Sequence, residues 1–411
     1  MSKNNLSCPE VPSASQEVPA AGMVVPVLVA VTMGHLINDL IQAVLPAIYP
    51  MLKENYGLSF FEIGIITLVY QISASLLQPL IGWYSDRHPQ PWLLPTGMAS
   101  ILVGVCLLSY AHSFSLILAA STLIGIGSST FHPEGSRVAL MTSPGRFGLA
   151  QSTFQVGGNA GSALGPLLAA AVVIPFGQAH VAWFVLPAVC AIALLGYVSR
   201  WYSRQSGLFW KQGGKTAVPV HSRRQIVLAL AVLGMLVFSK YVYMASLYNF
   251  LTFYMMERFD VSMAGSQMYL FFFLGAVAAG TFLGGPIGDR FGRKTVIWFS
   301  ILGAAPFALA LPYAGLFGTA VLTVVTGFIL ASAFSAIIVY AQELIPGNPG
   351  LVAGGFFGLM FGIGGIAAVF LGWVADLKGI VFVYRFCAFL PLLGVLTVFL
   401  PSHGKPATKS G

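Results

Sequence analysis

Apolar runs of about 20 residues, the length a helix needs to cross a hydrocarbon layer, alternate with short polar gaps along almost the whole chain. Twelve such runs can be cut, at 24–50, 60–84, 92–111, 114–140, 149–174, 181–202, 225–256, 264–288, 295–313, 316–342, 350–376 and 380–400. The longest polar gap, Ser203 to Arg224, divides them into two sets of six. The pattern predicts an all-α integral membrane protein of 12 transmembrane helices in two pseudo-symmetric six-helix bundles, residues 23–202 and 225–400, joined by a linker over 203–224. Tails cover 1–22 and 401–411, and the first, Pro/Ser-rich and almost uncharged, reads as disordered. The first apolar run is too long and too polar in its middle for the core of a cleavable signal.

Composition agrees. The 411 residues are 57% hydrophobic and 8% charged, against about 25% charged in a soluble domain. A soluble protein of that make-up has too few polar groups to cover its surface. The net charge of +8 would suggest nucleic acid only if the bases clustered on a polar face, but here they sit in the gaps between apolar runs. With the N-terminus inside, 15 of the 20 Lys and Arg residues fall in cytoplasmic segments and only Lys53, Arg258 and Lys378 in outside loops. Lys240 and Arg385 lie within helices. This bias predicts that both termini are cytoplasmic. The four cysteines, Cys8, Cys106, Cys190 and Cys387, show no spacing of a disulfide framework or metal site.

One gap carries a motif. Gly285-Pro-Ile-Gly-Asp289-Arg290-Phe-Gly292-Arg293-Lys294 sets one acid and three bases between two apolar runs, as a short cytoplasmic loop would. A degenerate copy, Gly82-Trp-Tyr-Ser-Asp86-Arg87, lies 203 residues earlier (289 minus 86) and continues into His88-Pro-Gln-Pro91 instead of Gly-Arg-Lys. Two copies half a chain apart point to internal duplication, the usual build of secondary transporters. The pattern resembles the loop signature of the major facilitator superfamily. Its glycines permit close helix contact. Its aspartates can accept from nearby arginines or a helix N-terminus, so the motif reads as a conformational clamp more than a substrate contact. The fifth and eleventh runs are glycine-rich, with Gly157, Gly158, Gly161 and Gly165 in one and Gly354, Gly355, Gly358, Gly362, Gly364 and Gly365 in the other. Such stripes serve either plain packing or seams that slide during transport. Gly161-xxx-Gly165-Pro166 resembles part of the antiporter signature of drug exporters, with Ala169 and Ala170 where that signature has two glycines.

Ionised groups at a helix centre cost about 2.5–3.5 kcal/mol to insert, so those that persist mark a cavity or a partner. In the first run His35, Asn38, Asp39 and Gln42 are spaced i, i+3, i+4 and i+7, one wet stripe on an apolar helix. A carboxylate that passes between wet and dry surroundings changes its hold on a proton, which makes Asp39 the leading proton-coupling candidate. A structural pair with His35 is the alternative. In the fourth run His132 and Glu134 flank Pro133, and Glu134 can pair with Arg137 at i+3. His132 reads either as a titrating group or as a structural histidine at a kink. In the seventh run Lys240 and Tyr243 stand out, and subtracting the 203-residue offset places Lys240 opposite position 37, level with the stripe. Its ammonium can pair with Asp39 or hold an anionic substrate. Gln151, Gln155, Asn159 and Ser162 line one face of the fifth run, for substrate or for interhelical bonds. Glu62, Glu343 and Arg385 sit near helix ends, where snorkelling or loop pairing explains them.

The strings His35-Leu-Ile-Asn-Asp39-Leu-Ile-Gln42, Phe131-His-Pro-Glu134, Phe154-Gln-Val-Gly-Gly158 and Tyr340-Ala-Gln-Glu343 resemble those of the fosmidomycin resistance protein family, bacterial inner-membrane exporters within the same superfamily. The resemblance runs from about residue 28 to about 400. It implies proton-driven efflux of small antibiotics, with no cofactor beyond the proton gradient and a monomer as the working unit. Uptake of a sugar or organic anion on the same fold is the alternative. A membrane enzyme using His132 and Glu134 finds no accompanying nucleophile or phosphate-binding motif.

Overall fold

The computed structural model describes residues 23–143, 147–209, 222–345 and 349–401. The predicted tails and most of the linker lie outside these residues. Eleven of the helices are long and apolar enough to cross a membrane: α1 Val25–Ala47, α2 Phe60–Ser85, α4 Phe114–Ala139, α5 Thr153–Phe176, α6 Gln178–Gln205, α7 Arg223–Phe259, α8 Met263–Gly284, α9 Arg293–Tyr313, α10 Leu316–Ala341, α11 Gly355–Lys378 and α12 Ile380–Phe399. The twelfth, α3, is the shorter apolar helix Leu93–Ser109. Together they make the twelve expected spans of a multi-pass membrane protein.

Local chemistry sets the ends. Ser59 and Glu62 form a capping box that starts α2, and Ser222 with Gln225 forms another that starts α7. Within α5, Pro166 precedes a wide π turn at Ala169–Val173, the place where the antiporter signature would have glycines. The expected motif loop is mostly helix: the α8 helix continues to Phe291. Only Gly292, at φ 89°, breaks it before Arg293, a backbone conformation that side chains disfavour. A tight turn suffices because the charged residues can reach water from the last turn of the helix.

Within the first half, α1 packs on α5, and α4 packs on α2 and α3; within the second, α8 packs on α10, and α7 on α11 and α12. The halves meet along two seams, α2 with α11 and α5 with α8. The α2/α11 seam is tight at one end. A Cβ at Gly64 would come within 2.6 Å of the Val369 backbone, and one at Gly372 within 2.8 Å of the Phe60 backbone. Gly365 faces Leu68 in the same register. Further along α11, Gly355, Gly358, Gly362 and Gly364 meet no atom within 4 Å. The seam is therefore tightest near Phe60, while the glycines further along leave their own faces open. The glycines of α5 behave differently: Gly157, Gly161 and Gly165 press on Thr32, Leu36 and Ala43 of α1, which is packing between fixed neighbours.

Candidate functional site

The polar stripe of α1 lies on one face, completed by α4 and α5, but it is mostly dry: His35, Asn38 and Gln42 are buried and only Asp39 keeps some exposure. His35 lies one turn before Asp39, with Nε2 3.3 Å from Oδ2. From α4, His132 brings its Nε2 to 3.7 Å from the other oxygen, Oδ1. Asn38 donates from Nδ2 to Oδ1 at 2.8 Å. The three titratable groups offer atoms that all lie within 4.8 Å of one another. His35 is buried, with its ring stacked 4.0 Å from that of Phe154, whereas His132 keeps 25% of its side-chain surface and Asp39 16%.

Backbone carbonyls decide which ring nitrogens carry hydrogen. His35 Nδ1 is 2.8 Å from the Phe154 carbonyl oxygen and His132 Nδ1 is 3.2 Å from that of Ser128. A carbonyl only accepts, so each Nδ1 is the donor. In the neutral rings, both Nε2 atoms then aim lone pairs at the Asp39 carboxylate. His35 Nε2 is buried without a hydrogen-bond partner. Asn38 gives the carboxylate one donor, but in the neutral rings no hydrogen lies between it and either Nε2, and a proton placed between nitrogen and oxygen supplies the missing bond. Gly158 makes the room: a Cβ there would come within 2.6 Å of Asp39 Oδ2.

Four further residues complete the site. Phe154 supplies the ring and the carbonyl for His35, and Ser128 the carbonyl for His132. Tyr70 of α2 donates to Gln42 and bonds Ser128. Tyr248 of α7 lies close enough to feel the Asp39 charge. A tyrosine on an apolar helix gives little signal alone, but Tyr70 and Tyr248 are each the lone phenol of their helix turn. Below them, Tyr49 and Thr67 bond at 2.7 Å and Thr67 donates to Asn249 Oδ1 at 2.9 Å, joining α2 to α7 across the halves.

Other predicted residues fall elsewhere. Lys240 does not reach Asp39. It precedes Tyr248 by eight residues, or about 12 Å of helix rise, and its Nζ is buried without a hydrogen-bond partner, 5.4 Å from the Tyr241 ring and 5.9 Å from that of Phe334. The 203-residue offset itself holds along this helix, since the left-handed C-caps Gly57 and Asp260 and the next N-caps Ser59 and Ser262 are each 203 residues apart, but a matching place in the repeat does not bring the Lys240 side chain to Asp39. Tyr243 points into the second half's core beside Tyr254 and Cys387. Glu134 turns from the cluster to Arg137, Oε1 accepting from Nη1 at 2.6 Å, and Arg137 also reaches the Gly82 carbonyl and the Tyr202 hydroxyl. Gln155 and Asn159 are half-buried on α5. The side chains of Gln151, Asp86, Arg87 and Asp289, together with Gly285, lie outside the described residues.

The rest of the motif works inside the second half. Arg293 Nε stands 3.8 Å from Glu343, just past the end of α10, and Lys294 donates to the carbonyls of Leu400 and Val398 at the end of α12. Arg290 is exposed, with Cζ 5.5 Å from the Phe291 ring. An open apolar recess of about 650 Å³ between α8 and α10, lined by Phe271, Phe272, Val324 and Phe328, has no group to bind a polar solute.

Comparison with known proteins agrees with the geometry. The family model of the Major Facilitator Superfamily matches residues 31–368 and 243–411. The chain is 56% identical to the fosmidomycin resistance protein of Escherichia coli (strain K12) over 377 residues, 92% of this chain and 93% of that one. It is 43% identical to an uncharacterised MFS-type transporter of Bacillus subtilis (strain 168), over 93% of this chain and 94% of that one. Among solved structures, a bacterial homologue of the human lysosomal transporter Spinster, in an inward-facing and occupied conformation, superposes with a TM-score of 0.70 at 14% identity, covering 91% of this chain and 94% of that one.

Proposed function

The chain belongs to the Major Facilitator Superfamily, in the branch of the fosmidomycin resistance proteins, and from that premise we propose that it exports small polar or anionic drugs, fosmidomycin among them, in exchange for protons. The observation that carries the reading is the Asp39 centre, where two histidine Nε2 atoms converge on one carboxylate with no hydrogen between nitrogen and oxygen in the neutral rings. A group that gains and loses a proton there changes the charge of the site between its two accessible states. Such a change biases which state is favoured.

The two bundles rock about the site, so that protons enter from one side and drug leaves from the other. Each net charge moved down the potential contributes about 2.3 kcal/mol per 100 mV. One inward proton therefore supports a gradient of roughly tens-fold for a neutral solute, and an outward-moving anion gains further. Lys240 is the cation available to an anionic solute in the second half, once movement of its aromatic neighbours uncovers it. The setting is a bacterial inner membrane, with both termini cytoplasmic, a monomer as the working unit and no cofactor besides the proton gradient. In that orientation the closed seam near Phe60 faces outward and the drug site opens inward.

The test uses inverted membrane vesicles that carry the protein. The vesicles are energised, fosmidomycin is added, and the pH gradient is followed against empty-vector vesicles. The expected result is a drug-dependent loss of the gradient that Asp39→Asn abolishes at unchanged expression. A gradient untouched by drug, with the protein folded and inserted, overturns proton-coupled export. Drug accumulation in right-side-out vesicles would establish uptake instead.

A further inference from the structure

The first turn of α2 accounts for its amide hydrogens in an unusual way. Ser59 and Glu62 satisfy each other's backbone: Ser59 Oγ accepts from the Glu62 amide at 3.1 Å, and Glu62 Oε2 accepts from the Ser59 amide at 2.8 Å. The two amides between them have no partner in their own half. Phe60 N–H donates to Asp376 Oδ1 and Phe61 N–H to Asp376 Oδ2, both at 2.8 Å. Asp376 belongs to the last turn of α11, 316 positions along the chain from Phe60 and in the other half. A carboxylate seated astride a helix N-terminus receives two charge-assisted hydrogen bonds and the favourable end of the helix dipole.

We propose that Asp376 is a gate residue of the transport cycle, a latch that holds this end of the two halves together and must release before the opposite-facing state can form. Three features separate a latch from ordinary glue. Donors and acceptor belong to different halves, so the bonds exist only while those halves meet. Asp376 is exposed, as are the two bonds, so water can take over both amides and the carboxylate on release. Opening therefore strands no buried polar group. The bonds also cap the tightest end of a seam in which Gly372 sits on Phe60, Gly64 on Val369 and Gly365 on Leu68, whereas the glycines of α11 from Gly364 back to Gly355 have open space before them. A latch at the most closely packed end of a seam is placed where a gate needs it. The second tie between the same halves, Thr67 to Asn249, lies deeper and leads to the Asp39 centre.

This inference rests on the alternating-access reading above, and its test needs neither drug nor gradient, so the two can fail separately. Cys8, Cys106, Cys190 and Cys387 are replaced by serine in the full chain, and a reporter thiol is introduced by Leu68→Cys, behind the latch. Labelling by a membrane-impermeant maleimide is timed from the Asp376 side in oriented vesicles. Asp376→Ala is expected to raise the labelling rate roughly three- to tenfold, as loss of a pair of exposed hydrogen bonds predicts. Asp376→Asn, whose amide oxygen still accepts one bond, is expected to fall between it and the parent. Equal rates in all three overturn the proposal. If Asp376→Ala fails to fold, a disulfide between Phe61→Cys and Asp376→Cys decides the matter. The oxidised pair must block labelling and the reduced pair restore it. Labelling that ignores the cross-link overturns the latch as well.

Discussion

His132 and His35 grip the same carboxylate from two helices, Nε2 to Oδ1 at 3.7 Å and Nε2 to Oδ2 at 3.3 Å, but only His132 keeps appreciable contact with water. In the proposed exchange the buried ring is a fixture and the more exposed one is the route by which a proton would reach Asp39. His132→Gln is therefore expected to leave folding intact and to slow drug-evoked proton flux about tenfold, the effect of losing one charge-assisted hydrogen bond. His35→Gln also removes the stack on Phe154, and is expected to lower thermal stability by about 1–3 kcal/mol. Thermal unfolding alongside the vesicle assay separates the two. If His132→Gln keeps full flux, that histidine is only structural.

Gly158 leaves the space in which the cluster sits, since a Cβ there would meet Asp39 Oδ2 at 2.6 Å and the His35 ring besides. Gly158→Ala is expected to cut transport at least tenfold through displacement of the carboxylate, with an overpacking penalty of about 1–3 kcal/mol. Gly358→Ala meets nothing within 4 Å and gains helix propensity, so it should melt at or above the parent temperature. Equal behaviour of the two variants in both assays would contradict the difference between the packed and slack glycines.

Lys240 is a buried amine near the Tyr241 and Phe334 rings with no hydrogen-bond partner for its Nζ. Replacement of such a group by an apolar side chain of similar length usually stabilises a fold. Lys240→Met is expected to raise the unfolding temperature, while it reduces export of anionic drugs more than of neutral ones. An equal loss for both classes would remove Lys240 from substrate recognition.

Glu134 is fully buried and its charge is compensated by Arg137 at 2.6 Å. Loss of one partner leaves an uncompensated buried charge, at about 3–5 kcal/mol. Glu134→Gln or Arg137→Gln alone is therefore expected to lower the yield of folded protein sharply, and the double variant to recover part of it. A double-mutant cycle with no coupling would show that Arg137 is held by its other contacts, to Gly82 and Tyr202.

The spans and the α1 stripe are legible in the sequence because both are periodic signals: length against bilayer thickness, and polar residues recurring each helical turn. The Glu134–Arg137 pair follows from i, i+3 spacing in the same way. Side-chain neighbours were not legible. A 203-residue offset gives Lys240 its place in the repeat but not what it touches, and only the packing brings Tyr248 to Asp39. The tautomers of His35 and His132 depend on carbonyls of Phe154 and Ser128, and no sequence pattern specifies which carbonyl a ring nitrogen will find. Asp376 reads in sequence as one more acid at the end of a span. Its meaning lies wholly in a contact between halves.

Every histidine within the apolar spans, and both carboxylates buried there, belong to the first half; the second contributes Lys240 and a wall of aromatic rings. Two copies of one ancestral bundle have thus diverged in their buried charges. On the proposed reading, cargo could change by mutations in one half without disturbing the energy supply in the other. Chimeras that join this first half to the second half of a relative should keep the ion and exchange the drug, and natural recombination at the linker offers resistance the same route.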